Sequence, residues 1–129
     1  MKILLDTHCW LWMLRSPERF SPQGRQRVTA PANDLLLSAA SAWEIAIKYS
    51  LGRLRLPMEP AAYVPSRLVA TRTSPLAIQH THALRVAQLP LHHRDPFDRL
   101  LIAQAQLEGI PILTSDVQFA PYDVEVLRP

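Results

Sequence analysis

Short apolar runs alternate with longer amphipathic segments along the chain. Runs of strand length occupy residues 2–5, 35–37, 74–78, 110–113 and 124–127. Helices are predicted in the segments between them, at about 7–14, 22–30, 41–51, 61–71, 79–88 and 95–108, from apolar residues at helical spacing or from capping residues such as Ser21 before Pro22. Strands separated by helices predict right-handed βαβ units and a mostly parallel sheet covered on both faces. The pattern therefore predicts an α/β fold.

Capping residues mark where several helices begin and end. Asp95 followed by Pro96 is typical of an N-cap before proline at the first helical position, and Gly109 is the expected end of that helix. Ser41 is the predicted N-cap of an earlier helix, which Gly52 ends. On this earlier helix, apolar residues form a stripe at helical spacing: Trp43, Ala46, Ile47 and Leu51.

The length and composition favour one intracellular domain. At 129 residues the chain is expected to form a single domain, residues 1–129, with one hydrophobic core. The one cysteine, Cys9, cannot form an intrachain disulfide, which favours a reducing compartment. Asp6 interrupts the N-terminal apolar run, and no run reaches the ~18 apolar residues that a membrane helix needs. We expect a cytoplasmic protein that does not enter a membrane.

Four acidic residues occupy related places in this pattern. Asp6 directly follows a predicted strand and Asp116 lies three residues after another, whereas Glu44 and Asp98 lie in the first turns of predicted helices. In parallel sheets, ligand sites lie beyond the carboxyl ends of the strands. We therefore expect the four carboxylates to share one site at that edge of the sheet.

Carboxylates packed this closely repel one another, and a divalent cation removes the repulsion. Mg²⁺ and Mn²⁺ prefer oxygen ligands and leave positions open for a phosphate. Such an ion stabilises charge on a scissile phosphate and lowers the pKa of a bound water that attacks phosphorus. With the four acids set aside, 14 Lys and Arg remain against 7 acids, which suits a polyanionic substrate. The sequence predicts a metal-dependent nuclease.

Polar residues beside the acids are candidates for supporting roles. Thr7 and Ser115 carry hydroxyls that are expected to orient a carboxylate or a metal-bound water. Asp95 is expected to act chiefly as the helix N-cap, with metal contact as the alternative. Arg94 and Arg99 flank the acidic turn and are expected to hold phosphates. Four histidines form no metal pattern with the acids and are predicted to be surface or loop residues: His80, His82, His92 and His93.

Each acid also has a purely structural interpretation. Asp6 has the position of a cap for the first helix, and Asp116 is suited to heading an Asx-turn. Glu44 lies four residues before Lys48, so the two are suited to a surface ion pair worth a few tenths of a kcal/mol. Their shared placement beyond the strands is what favours the metal site.

Four stretches, in this order, resemble the PIN domain, and more narrowly the VapC-type toxins of bacterial toxin–antitoxin pairs. They are Met-Lys-Ile-Leu-Leu-Asp-Thr-His at residues 1–8, Ser-Ala-Trp-Glu-Ile-Ala-Ile-Lys at 41–48, His-Arg-Asp-Pro-Phe-Asp-Arg at 93–99 and Leu-Thr-Ser-Asp at 113–116. The similarity runs the length of the chain, which makes it more specific than any single acid.

The resemblance implies a PIN-like three-layer α/β/α sandwich and a Mg²⁺- or Mn²⁺-dependent endoribonuclease that cleaves RNA, usually as a homodimer. By position, the family's hydroxyl residue falls on Thr7, and its four acids fall on Asp6, Glu44, Asp98 and Asp116. A cognate antitoxin is also implied, with a helix that wraps around the N-terminal helices and blocks the site. The exposed parts of several side chains are expected to suit that groove: Trp10, Trp12, Leu14 and Phe20.

Two alternative functions stay open at this point. One is a PIN-like nuclease directed at DNA, which a comparison of RNA and DNA cleavage would separate. The other is a catalytically idle PIN module that acts as a protein- or RNA-binding partner. The full set of acids argues against idleness, because an inactive site has no need to keep that much repulsion.

Overall fold

The computed structural model describes residues 1–129, and its elements follow the order expected from the hydrophobic pattern. The strands are β1 Lys2–Leu5, β2 Asp34–Ser38, β3 Thr73–Leu76, β4 Ile112–Leu113 and β5 Val126–Leu127. The helices are α1 Thr7–Arg15, α2 Pro22–Thr29, α3 Ala39–Ser50, α4 Pro60–Ala70, α5 His80–Arg85 and α6 Pro96–Glu108. Short 3₁₀ turns lie at Pro17–Arg19, Val86–Gln88 and Val117–Phe119.

The five strands form one sheet in the order β3-β2-β1-β4-β5, and every pairing is parallel. The central strand is β1, so its carboxyl end lies in the middle of the sheet edge. The predicted α/β class and parallel sheet are confirmed, and β3 and β5 are the edge strands. The single-domain organisation stays a prediction.

Two hydrophobic clusters pack on opposite faces of the sheet, and β1 supplies both because its side chains alternate. Ile3 and Leu5 join the cluster that contains Trp10, whereas Leu4 joins the cluster that contains Leu101. These side chains are fully buried, at a gain of about 1.5–3 kcal/mol for each large apolar group. The layers are therefore helix, sheet and helix.

Helix ends agree with the capping signals, with one exception. Asp95 caps α6 by accepting a hydrogen bond from the Asp98 N–H at 3.0 Å, and Gly109 ends that helix with φ of 66°. The cap of α3 is Ser38, not Ser41, because the chain passes from β2 straight into the helix. Ser41 is instead buried within α3.

The apolar stripe of α3 points outward. Trp43 is 59% exposed and Leu51 is 61% exposed, while Ser41, Glu44 and Ile45 form the buried face. The buried face thus carries Glu44, the acid of this helix that is predicted to belong to the site. No helix is long and apolar enough to cross a membrane.

Candidate active site

Asp6 leaves β1 at the centre of the sheet edge and also caps α1. Its Oδ1 accepts a hydrogen bond from the His8 N–H at 2.8 Å, and its Oδ2 accepts one from the Thr114 hydroxyl. Burial raises the pKa of Asp6, and these two hydrogen bonds oppose the rise. Asp6 therefore caps α1 and belongs to the acidic site at the same time.

Glu44 reaches the same edge from α3 and is almost fully buried. The Thr7 hydroxyl lies 2.8 Å from Glu44 Oε1 and 2.8 Å from the Ser41 hydroxyl. Lys48 Nζ lies 2.7 Å from Glu44 Oε2, so the ion pair is present, although it is not the surface pair considered above. Since each carboxylate oxygen carries more than one lone pair, these contacts leave acceptor capacity toward a cation.

Asp98 lies in the first turn of α6, next to the Asp95 cap. Burial is the largest cause that raises the pKa of Asp98 to about 8, followed by the negative charges of Asp6, Asp95, Glu44 and Asp116. Asp98 and these four acids are therefore close enough for their charges to affect one another. A metal-free Asp98 therefore holds a proton near neutral pH.

Asp116 follows β4, and it begins the turn Val117–Phe119 by accepting a hydrogen bond from the Gln118 N–H at 2.9 Å. Its other oxygen, Oδ2, lies 3.0 Å from Nε2 of His93, which also lies 3.0 Å from Asp98 Oδ2. Asp116 therefore heads the Asx-turn and also belongs to the acidic site.

The histidine prediction is wrong for His82 and wrong in part for His93. His82 is buried on α5 and bonded to Glu108. His93 lies in a loop, as predicted, but it is buried and contacts two of the acids, Asp98 and Asp116. Its position two residues before the Asp95 cap is a sequence signal, although spacing alone does not reveal its burial.

The hydroxyl after β4 that contacts the site belongs to Thr114, not to Ser115. Thr114 is fully buried and bonds to Asp6, whereas Ser115 is exposed and its hydroxyl makes no hydrogen bond. Alternation along an extended strand end explains the difference, because neighbouring side chains point to opposite sides.

The two arginines beside the acidic turn have different environments. Arg94 is exposed and its guanidinium makes no hydrogen bond in the structure. Arg99 donates to the Tyr122 hydroxyl and to four main-chain carbonyl oxygens: Val86, Leu89, Pro90 and His93. This engagement is at odds with the expectation that Arg99 holds a phosphate, because its donors already stabilise the loop before α6.

The residues fit a divalent cation. His93, Asp98 and Asp116 each offer a potential donor atom, and these atoms lie within 4.8 Å of one another. Carboxylate oxygens are the ligands that hard divalent cations prefer. A cation would also relieve the repulsion that raises the pKa of Asp98.

Fold and site together define a parallel α/β/α protein with a buried acidic site at the carboxyl edge of its sheet. The PIN domain family model matches residues 3–125, and the chain belongs to the PIN domain family. The resemblance noted in the sequence is thereby confirmed. A curated relative, Ribonuclease VapC16 from Mycobacterium tuberculosis (strain ATCC 25618 / H37Rv), is 58% identical over 50 residues. That match spans 39% of this chain and 36% of the ribonuclease.

Solved structures share the whole fold at low sequence identity. VapBC2 from Rickettsia felis bound to a promoter DNA fragment matches with a TM-score of 0.74 at 13% identity, over 99% of this chain and 98% of that chain. DNA-bound VapBC from Salmonella typhimurium gives a TM-score of 0.74 at 15% identity, over the same shares. These likenesses confirm the α/β/α architecture.

Proposed function

We propose that the chain is a metal-dependent endoribonuclease and the toxin of a toxin–antitoxin pair. The observation that carries the proposal is the crowding around Asp98, where burial, followed by the charges of neighbouring acids, raises the pKa to about 8. A cluster this unfavourable without a cation is suited to holding one. The relative named as a ribonuclease and the VapBC complexes among structural neighbours support the same class of function.

Asp6, Glu44, Asp98 and Asp116 would hold the cation, which we propose to be Mg²⁺ or Mn²⁺. When bound, the ion supplies charge stabilisation at the scissile phosphate and activation of the attacking water. The surrounding residues hold the acids in place: Thr7 binds Glu44, and Thr114 binds Asp6. Asp95 supports the site through its cap on α6.

A cleft of about 230 Å³ lies beside Glu44, between α1 and α3. Its lining includes Lys48 and Arg53, so positive charge lies directly beside the acids. Arg94, two residues before α6, adds an exposed guanidinium that makes no hydrogen bond to the protein. Basic groups around an acidic centre suit an RNA backbone that must approach the cation.

The cleavage assay that tests this proposal uses purified protein, freed of any partner, with structured RNA and Mg²⁺ or Mn²⁺. A parallel reaction contains EDTA, and another contains DNA of the same sequence. Cleavage of RNA that EDTA abolishes is the expected result. Preferential cleavage of DNA would favour the DNA-directed alternative. Binding without cleavage in either metal would favour the idle module.

Arg94 and Arg99 form a matched pair for separating substrate binding from loop stability. Arg94→Met is expected to weaken RNA binding severalfold and to leave the melting temperature unchanged, because its guanidinium has no protein partner. Arg99→Met is expected to lower stability by about 2–4 kcal/mol, because main-chain carbonyls lose a charged donor. Filter binding and thermal melts of both variants check this. Equal melting temperatures would contradict the assignment.

We further propose that a cognate antitoxin covers the N-terminal helices. Only two of the four residues expected to line the groove are accessible to a partner. Trp10 and Phe20 belong to the core, while Trp12 and Leu14 are half-buried. The guanidinium of Arg19 lies 5.1 Å above the Trp12 ring, and Phe20 packs edge-on against it at 6.4 Å. A rigid, partly exposed indole is suited to anchoring a partner helix.

Trp12→Ala is therefore expected to weaken antitoxin binding by at least about 2 kcal/mol, the usual range for a buried aromatic anchor. The antitoxin encoded beside this chain is the probe, and calorimetry is the measurement. Leu84→Ala, an exposed apolar residue on α5, is the control and should leave affinity unchanged. Unchanged affinity in Trp12→Ala would contradict the proposed groove.

A homodimer is the proposed assembly. The exposed stripe of α3 supports it, because Trp43 and Leu51 each keep more than half of their surface exposed, although Trp43 packs edge-on against Phe97. Sedimentation velocity checks the proposal, and a monomer at micromolar concentration would contradict it. We propose the cytoplasm, where RNA substrates are present, as the compartment.

A further inference from the structure

His93 lies in the loop before α6 and is only 5% exposed. Its ring packs edge-on against Phe119, with centroids 5.5 Å apart and planes at 83°. A buried imidazole must satisfy both ring nitrogens, so its hydrogen bonds define where its proton lies.

The main chain settles the proton position. The Asp95 N–H donates to His93 Nδ1 at 3.2 Å. A main-chain N–H is always a donor, so Nδ1 is the accepting nitrogen and carries no proton. In a neutral imidazole the proton then lies on Nε2, which becomes a donor.

This donor faces two acids that come from separate elements. Nε2 makes a hydrogen bond with Asp116 Oδ2 at 3.0 Å and lies 3.0 Å from Asp98 Oδ2. Asp98 belongs to α6, and Asp116 follows β4, so His93 is the side chain that joins the two. The approach of Nε2 to Asp98 is a close contact without a hydrogen bond, so both carboxylate oxygens of Asp98 stay free to accept a ligand.

We infer that His93 is a positioning residue whose Nε2–H holds Asp116 Oδ2 close to Asp98 Oδ2, and that it is not itself a metal ligand. The inference rests on the proposed cation site. A ligating nitrogen needs a free lone pair, and the lone pair of Nδ1 is engaged by Asp95 while Nε2 carries the proton. Hydrogen bonds to carboxylates from outside a metal site fix their orientation and preserve affinity for the ion.

The chain contains a matched control for this arrangement. His82 is 2% exposed, accepts the Gln79 N–H at Nδ1 at 2.9 Å, and lies 3.0 Å from Glu108 Oε1 through Nε2. The same local pattern thus occurs at a second buried histidine, where the acid is not one of the site acids. Substitutions at His82 report on loss of a buried histidine alone.

The test compares His93→Gln with His93→Phe in calorimetric titrations with Mn²⁺. Glutamine retains an N–H donor near the position of Nε2, and phenylalanine retains the packing against Phe119 but removes the donor. We expect His93→Phe to weaken Mn²⁺ binding roughly 10- to 100-fold, and His93→Gln to remain close to wild type. His82→Phe is expected to lower the melting temperature without changing Mn²⁺ affinity.

Equal losses in His93→Gln and His93→Phe would overturn the inference, because a ligand or a packing role removes the distinction between them. Wild-type affinity in both variants would overturn it as well. Long-range ¹H–¹⁵N NMR spectra of the metal-free wild type provide a check without mutation. A proton on Nδ1 would refute the assignment. Because these measurements need no RNA, their outcome is independent of the RNA cleavage assay that tests the proposed function.

Discussion

Asp6→Asn is expected to lower the rate of metal-dependent RNA cleavage by roughly 1000-fold, since the catalytic contribution of a bound cation amounts to several kcal/mol. Asparagine is nearly the same size as aspartate and is an equally good N-cap, so α1 keeps its first turn. Its one oxygen keeps the cap on the His8 N–H, and its amide group then faces the Thr114 hydroxyl, which must turn to accept a hydrogen bond. The variant therefore removes the charge at the centre of the site, keeps the size of the side chain and reverses one hydrogen bond.

The measurement is single-turnover cleavage of labelled RNA at saturating Mg²⁺ or Mn²⁺. Asp34→Asn is the matched control, because Asp34 is exposed and begins β2 at the opposite edge of the sheet. Its rate should equal that of wild type. If Asp6→Asn retained wild-type cleavage while EDTA still abolished it, the cation would have to bind elsewhere, and the proposed site would be wrong.

Asp98→Asn is expected to stabilise the metal-free protein at alkaline pH. The pKa of Asp98 is raised from 3.8 to about 8 in the folded state, so folding favours the protonated carboxyl. Below pH 3.8 the Asp98 carboxyl is protonated in both the folded and the unfolded state, so it does not lower the free energy of unfolding. Stability is lost as pH rises toward 8, because the unfolded chain ionises while the folded chain retains its proton.

The expected gain from Asp98→Asn at pH 9 is on the order of a few kcal/mol, or roughly 10 °C in melting temperature. The gain should shrink toward zero near pH 4, where wild type is also neutral at this position. Mn²⁺ should stabilise wild type by mass action and should have little effect on the variant. Thermal melts across this pH range, with and without Mn²⁺, are the measurement.

Asp123→Asn serves as the control, since Asp123 is exposed and lies outside the site. Its melting temperature should follow that of wild type at every pH. A pH-independent difference between Asp98→Asn and wild type would show that the cost of ionising the buried Asp98 carboxyl is not the cause. A destabilised Asp98→Asn at pH 9 would contradict the raised pKa directly.

Much of the fold and most of the acidic site were predictable because they depend on local rules. Strand runs, the Asp95 cap with Pro96 and the Gly109 stop each involve neighbouring residues, and all three appear in the structure. The acids follow from the same rules, since parallel strands bring their carboxyl ends to one edge. Asp6 and Asp116 lie there because β1 and β4 are adjacent.

Other features depend on contacts between residues far apart in the chain, and no local pattern encodes them. Thr114 reaches Asp6 across 108 positions, and His93 reaches Asp116 across 23. The outward stripe of α3 is a further case, because periodicity defines a face but not its partner. The sequence favours a phosphate-binding role for Arg99, because no sequence pattern reveals the main-chain carbonyl oxygens that its guanidinium contacts in the structure.

The sequence by itself thus determined the α/β class, the order of its elements and the four acids at the sheet edge, because spacing and capping are local. Tertiary structure alone decided which hydroxyl supports Asp6, which histidine joins Asp98 to Asp116, and which face of α3 is exposed. Those features arise only when the helices pack on the sheet, since packing determines which polar groups must find partners away from water.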